Sequence, residues 1–153
     1  DGSVVGRRSY HRLMTTLMKA GGGSGGTTPA EYQPGVCNIG PAEIRRRRRV
    51  GHVGLAGSVG LLALLLIADA PPITRLLVAG PAALGASGYL QAALKFCAGY
   101  GSRGVLNFGE AGRWTAVGDP EAAAADLRMA RRIGLGSLAI GSIAALLTLL
   151  LPR

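Results

Sequence analysis

Acidic side chains are scarce in this chain: 8 Asp and Glu stand against 17 Lys and Arg in 153 residues, a formal net charge of +9. A basic balance of that size ordinarily points to nucleic acid. Charge of either sign is also rare, at 16% of residues, while Gly, Ala and Leu dominate and mean hydropathy is positive. That mixture belongs to membrane proteins and argues against a nucleic-acid partner. Cysteine is limited to Cys37 and Cys97, too few for the disulfide scaffold of a small secreted protein. The order of a signal peptide is missing, since Arg7, Arg8 and Arg12 are not followed by an apolar core before Gly21. The three long apolar runs lack the Asp, Glu, Lys or Arg that mark an ion path or proton relay. A chain of this size with three spans does not enclose a substrate route alone, so a transporter acting by itself is not expected, and no catalytic constellation suggests an enzyme.

Those three runs define the fold class: an all-α membrane protein with three transmembrane helices. Val50 to Ala68 is uncharged over 19 positions, enough at about 1.5 Å per residue to cross most of a hydrocarbon core. Asp69, Pro71 and Pro72 end it. Ile73 to Cys97 returns across the membrane, with Arg75 near its start, Gln91 and Lys95 near its end, and a kink expected at Gly80-Pro81. Asp119-Pro120-Glu121 reads as a helix start, an N-cap acid followed by proline at the first helical position. One continuous helix is expected from there, its uncharged part, Ile133 to Leu151, forming the third span. Between the second and third spans, Ala98 to Gly118 reads as a glycine-rich loop whose Tyr100, Phe108 and Trp114 suit the headgroup depth.

Ahead of the spans, Tyr10, Leu13, Met14, Leu17 and Met18 recur at helical spacing, which predicts a short basic amphipathic helix over residues 1–20. Residues 21–36 read as a glycine-rich flexible linker. The run Arg45, Arg46, Arg47, Arg48 and Arg49 stands directly against the first span and reads as an anchor on anionic lipids. If that side is cytoplasmic, it also receives Lys95, Arg103, Arg113, Arg128, Arg131 and Arg132, while only Arg75 and Arg153 fall opposite. The positive-inside rule then gives N-terminus inside and C-terminus outside.

Small residues in the spans are expected to let helices approach closely: Gly51, Gly54, Gly57 and Gly60 in the first, Gly85 and Gly88 in the second, Gly134 and Gly141 in the third. The glycines of the first span recur every third position, so they spiral around the helix and suit a wide contact surface. His52, flanked by glycines, could ligate a haem iron or chlorophyll magnesium, although a histidine so placed more often makes a headgroup hydrogen bond; no cofactor is expected. A hairpin of the first two spans returns Cys37 and Cys97 to one membrane face. That arrangement suits either a thiol pair or two inert buried cysteines.

Several of these residues carry a resemblance. Cys37-Asn38-Ile39-Gly40, Glu43 ahead of the arginines, a glycine-rich first span, a proline turn and Phe96-Cys97-Ala98-Gly99-Tyr100 with Gly104 and Asn107 resemble the YgaP-type inner-membrane domain family, over residues 37–108. Ala98 stands where that family has proline, and Asn107 falls one position late. The resemblance implies a two-helix hairpin in a bacterial inner membrane and a tendency to homodimerise. It also implies a link to sulfur chemistry, through a rhodanese domain that is missing from this sequence. Residues 109–153 add a cytoplasmic loop and the third span. Three functions follow: a non-catalytic small subunit packing against other subunits of a respiratory or photosynthetic membrane complex, a sulfur- or redox-linked membrane protein using Cys37 and Cys97, and a haem or chlorophyll carrier through His52.

Overall fold

A computed structural model describes residues 31–110 and 112–151. The expected amphipathic helix, most of the linker and Arg153 lie outside the described residues. Three helices are long and apolar enough to cross a membrane: Pro41–Ile67, Pro72–Ala93 and Pro120–Thr148.

The first of these, α1 (Pro41–Ile67), starts nine residues before the uncharged run and takes in all five arginines. Its start is written locally: extended Gly40 as N-cap, proline in the first turn and Glu43 close behind. Arginine is a good helix former, so nothing interrupts the rod before the apolar residues begin. At 27 residues it is about 40 Å long, roughly 10 Å more than a hydrocarbon core. Its far end closes in a Schellman motif, with Ala70 N–H on the Leu65 carbonyl and Asp69 N–H on that of Leu66. Asp69 takes the left-handed position (φ 48°) that glycine more often fills.

Pro71 and Pro72 then forbid a continued ladder, and the second crossing begins as a 3₁₀ segment, Pro72–Val78, that passes into α2 (Ala79–Ala93). This change of winding falls just ahead of Gly80-Pro81, where the sequence leads one to expect a kink. Pro81 is third in α2 and offers no N–H to the carbonyls of the 3₁₀ segment before it. The helix stops four residues short of Cys97, because Lys95 turns left-handed (φ 52°) and Phe96 N–H reaches back to the Gln91 carbonyl.

The expected loop is more ordered than its glycines suggest. It holds a single helical turn, α3 (Ala98–Gly101), and a two-residue antiparallel pair, β1 (Val105–Leu106) with β2 (Thr115–Ala116). Tyr100 is buried and Phe108 half-buried, so of the three aromatics placed at the interface only Trp114, 48% exposed, keeps a free ring. The last helix, α4 (Pro120–Thr148), is one continuous rod as expected. Asp119 caps it, its carboxylate accepting from Glu121 N–H at 3.0 Å.

Packing runs α1 on α2 and α2 on α4, so α2 is the middle helix. A Cβ on Gly54 would fall on Gly85 N, and one on Gly88 would fall on Gly51 N. At these positions backbone lies on backbone. Gly141 does the same on α4, where a Cβ would lie 2.7 Å from the Ala79 carbonyl oxygen and from Ala83. Gly57 is at ordinary contact distance from Pro81 (3.5 Å), while Gly60 and Gly134 meet nothing within 4 Å. The helix-packing set thus narrows to Gly51, Gly54, Gly85, Gly88 and Gly141. A three-residue repeat drifts about 60° per step on a 3.6-residue helix, and by Gly60 the row on α1 has turned away from α2. On α4 the buried stripe is instead Ala130, Ile133, Ser137, Gly141 and Ala145.

Candidate functional site

At the arginine end, the strand-like approach to α1 is fastened to the turn that follows α2. Asn38 is fully buried; its side chain accepts from Cys97 N–H at 2.7 Å and donates to the Cys97 carbonyl at 3.2 Å. The backbone adds Asn107 N–H to the Asn38 carbonyl (2.9 Å) and Gly40 N–H to the Asn107 carbonyl (2.7 Å). Gly40 has no alternative here, since a Cβ would lie 2.9 Å from the Phe108 carbonyl oxygen. The Asn107 side chain in turn holds the next loop, accepting from Gly109 N–H and donating to the Glu110 carbonyl.

Glu43 lies at the centre of this cap. Its buried carboxylate accepts from the Tyr100 hydroxyl and from Gly112 N–H, each at 3.0 Å, and pairs with Arg46 at 3.5 Å and Arg47 at 3.6 Å. The Arg47 guanidinium also lies 6.0 Å from the centre of the Tyr100 ring. Burial raises the Tyr100 phenol above its ordinary 10.0; Asn107 opposes that shift and Glu43 adds to it. The arginine run is therefore divided. Arg46 and Arg47 serve the carboxylate, and Arg45, Arg48 and Arg49 are exposed.

A second buried carboxylate fixes the segment ahead of Asn38. Asp126 on α4 accepts from Gly35 N–H at 2.7 Å and from the Tyr32 hydroxyl at 3.0 Å. Residues 31–36, expected as the end of a flexible linker, are thereby held on α4, with left-handed Gly35 (φ 70°) against Ala125. Asp126 precedes the uncharged span by two turns. Burial raises its carboxyl above the ordinary 3.8, against the lowering effect of its two donors. The folded chain therefore holds a proton that the unfolded chain releases between 3.8 and the raised value. The corresponding stability is complete below 3.8 and lost as pH rises through the raised value. Asp126→Asn, neutral throughout, is expected to abolish this decline, read as Tm against pH from acidic to neutral for the two proteins.

Cys97 is buried with Ile39, Tyr100 and Val105, Cys37 is half-buried, and both thiols are free. Asn38 brings their segments together as a hairpin requires. His52 is exposed, and its Nδ1 lies 2.7 Å from the Tyr89 hydroxyl with the rings edge-on at 5.4 Å. The candidate residues foreseen in the sequence did not include Tyr89, Asp126 or the buried Arg75, which donates to the Thr148 and Leu151 carbonyls at the end of α4. Asp126 left a trace, because it falls in line with Ala122 and Ala130 on the stripe that α4 buries. Among the described residues no three His, Cys, Asp or Glu side chains converge as a metal site would require. No known protein family, curated protein or solved structure matches the chain.

Proposed function

We propose that this protein is a non-catalytic, small integral-membrane subunit that packs against and stabilises a larger membrane complex of respiratory or photosynthetic type, in a bacterial inner membrane with its arginine end cytoplasmic. One observation carries the reading. Most polar groups of the cap are spent on one another, with Glu43 Oε1 on Tyr100 and Gly112, Asn38 on Cys97 and Asp126 on Tyr32 and Gly35, while Glu43 Oε2 has the Arg47 ion pair alone. Leu, Val and Ile side chains of the long helices meanwhile point outward, among them Val53, Leu64, Leu135 and Leu147. Such a chain has much to offer a neighbouring helix and little to offer a substrate.

The orientation rests on charge. Arg45, Arg48, Arg49, Lys95, Arg103, Arg113, Arg128, Arg131 and Arg132 share the end that holds the cap, and Arg75 lies at the other. Purification from native membranes in mild detergent tests the proposal. The chain is expected to migrate with a large assembly; recovery as a free monomer or homodimer would sink it.

A further inference from the structure

Because α2 lies between α1 and α4, the two outer helices leave a groove with α2 as its floor. It has a volume of about 310 Å³, with Leu55, Val59 and Leu62 on one wall, Ala86 on the floor, and Ile140 and Ala144 on the other wall. The row on α1 does not begin at Leu55. Arg45, Arg48, His52, Leu55, Val59 and Leu62 follow one another at alternating steps of three and four, which places them on one face of the helix. The groove wall therefore continues upward into His52, held by Tyr89 at the mouth, and then into two exposed arginines.

We propose that this slot binds one anionic phospholipid of the arginine-side leaflet. Its phosphate would lie on Arg45 and Arg48 with His52 and Tyr89 beneath it, and one acyl chain would fill the groove. The inference rests on the membrane reading above and adds a specific site to it. Two observations select the occupant. The first is charge: Glu43 pairs with Arg46 and Arg47, leaving Arg45, Arg48 and Arg49 for an outside anion, of which Arg45 and Arg48 share the groove face, and Arg75 near the far end is buried against carbonyls. The second is length, since the floor from Val78 to Tyr89 extends about 16 Å, close to half of a ~30 Å hydrocarbon core.

The test uses the full chain reconstituted into phosphatidylcholine vesicles doped with phosphatidylglycerol. Native mass spectrometry after mild extraction is expected to find one phosphatidylglycerol per chain, retained about tenfold over phosphatidylcholine. Arg45→Gln and Arg48→Gln should each lower that preference about fivefold, because each removes one cation from an anionic surface. Ala86→Phe, which fills the groove, should lower retention of both lipids, and a photocrosslinker at Val59 should label lipid. Equal retention of the two lipids by the unmodified chain would overturn the proposal, as would unchanged preference in the arginine variants or a crosslink from Val59 to protein. Failure to float with the vesicles would remove the membrane reading itself, an outcome separate from flotation without selective lipid.

Discussion

Replacing Gly88 by valine is expected to drive α1 and α2 apart. A Cβ there would fall on Gly51 N, with the Gly51 Cα at 2.7 Å and the Arg47 carbonyl oxygen at 2.8 Å, all of them backbone atoms that no rotamer change can move. Overpacking in a well-filled core costs about 1–3 kcal/mol when side chains can yield, and here the loss should reach or pass the upper end. Gly54→Val should behave alike, since its contact is the Gly85 backbone. The control lies in the same spans: Gly60→Ala and Gly134→Ala meet open space inside a helix and should leave stability unharmed or raise it by about 0.5–1 kcal/mol. Thermal unfolding in detergent, followed by loss of the helix signal and by aggregation, separates the two groups. Similar losses at Gly60 and Gly88 would show that close backbone contact is not what these glycines provide.

The second large effect is expected at Glu43. Alanine there leaves the Arg47 guanidinium, the Tyr100 hydroxyl and Gly112 N–H without their acceptor inside the cap, and breaking a buried pair from one side costs about 3–5 kcal/mol. Glutamine keeps one oxygen for Tyr100 and Gly112 while losing the charge, so its loss should be smaller. Arg46→Ala should cost least, because that side chain is 57% exposed and its pairing is screened by water. The order Ala worse than Gln at position 43, with Arg46→Ala last, is checked by thermal unfolding. It has a chemical companion in the same cap. Cys97 is packed against Tyr100, so its alkylation by a thiol reagent should accelerate in Glu43→Ala and hardly change in Arg46→Ala.

What could be read from the sequence was the part decided within a few residues. Each span is an uninterrupted stretch of apolar side chains, and Asp119-Pro120 writes a helix start in adjacent positions. The arginines were legible as a boundary charge but not as helix, because a solvated run and the first turns of a rod look alike until Pro41 and Glu43 are weighed with them. The cap was largely hidden. Glu43 meets Gly112, and Asp126 meets Tyr32 and Gly35, across separations that no local period encodes. The glycine row on α1 gave its drift but not its phase: which members face α2 depends on where Gly85 and Gly88 are brought opposite.

The 3₁₀ opening of the second crossing also sets its reach. A 3₁₀ turn rises about 2.0 Å per residue against 1.5 Å in an α-helix, so the 7 residues of Pro72–Val78 gain about 3.5 Å over the same residues wound as α-helix. That crossing is the shortest of the three, 22 residues between neighbours of 27 and 29. Stretching it brings the middle helix closer to the outer pair in height, and a bilayer that meets three ends at similar levels has less thickness mismatch to absorb. The prolines that stop α1 thus also lengthen the second helix toward the reach of its two neighbours.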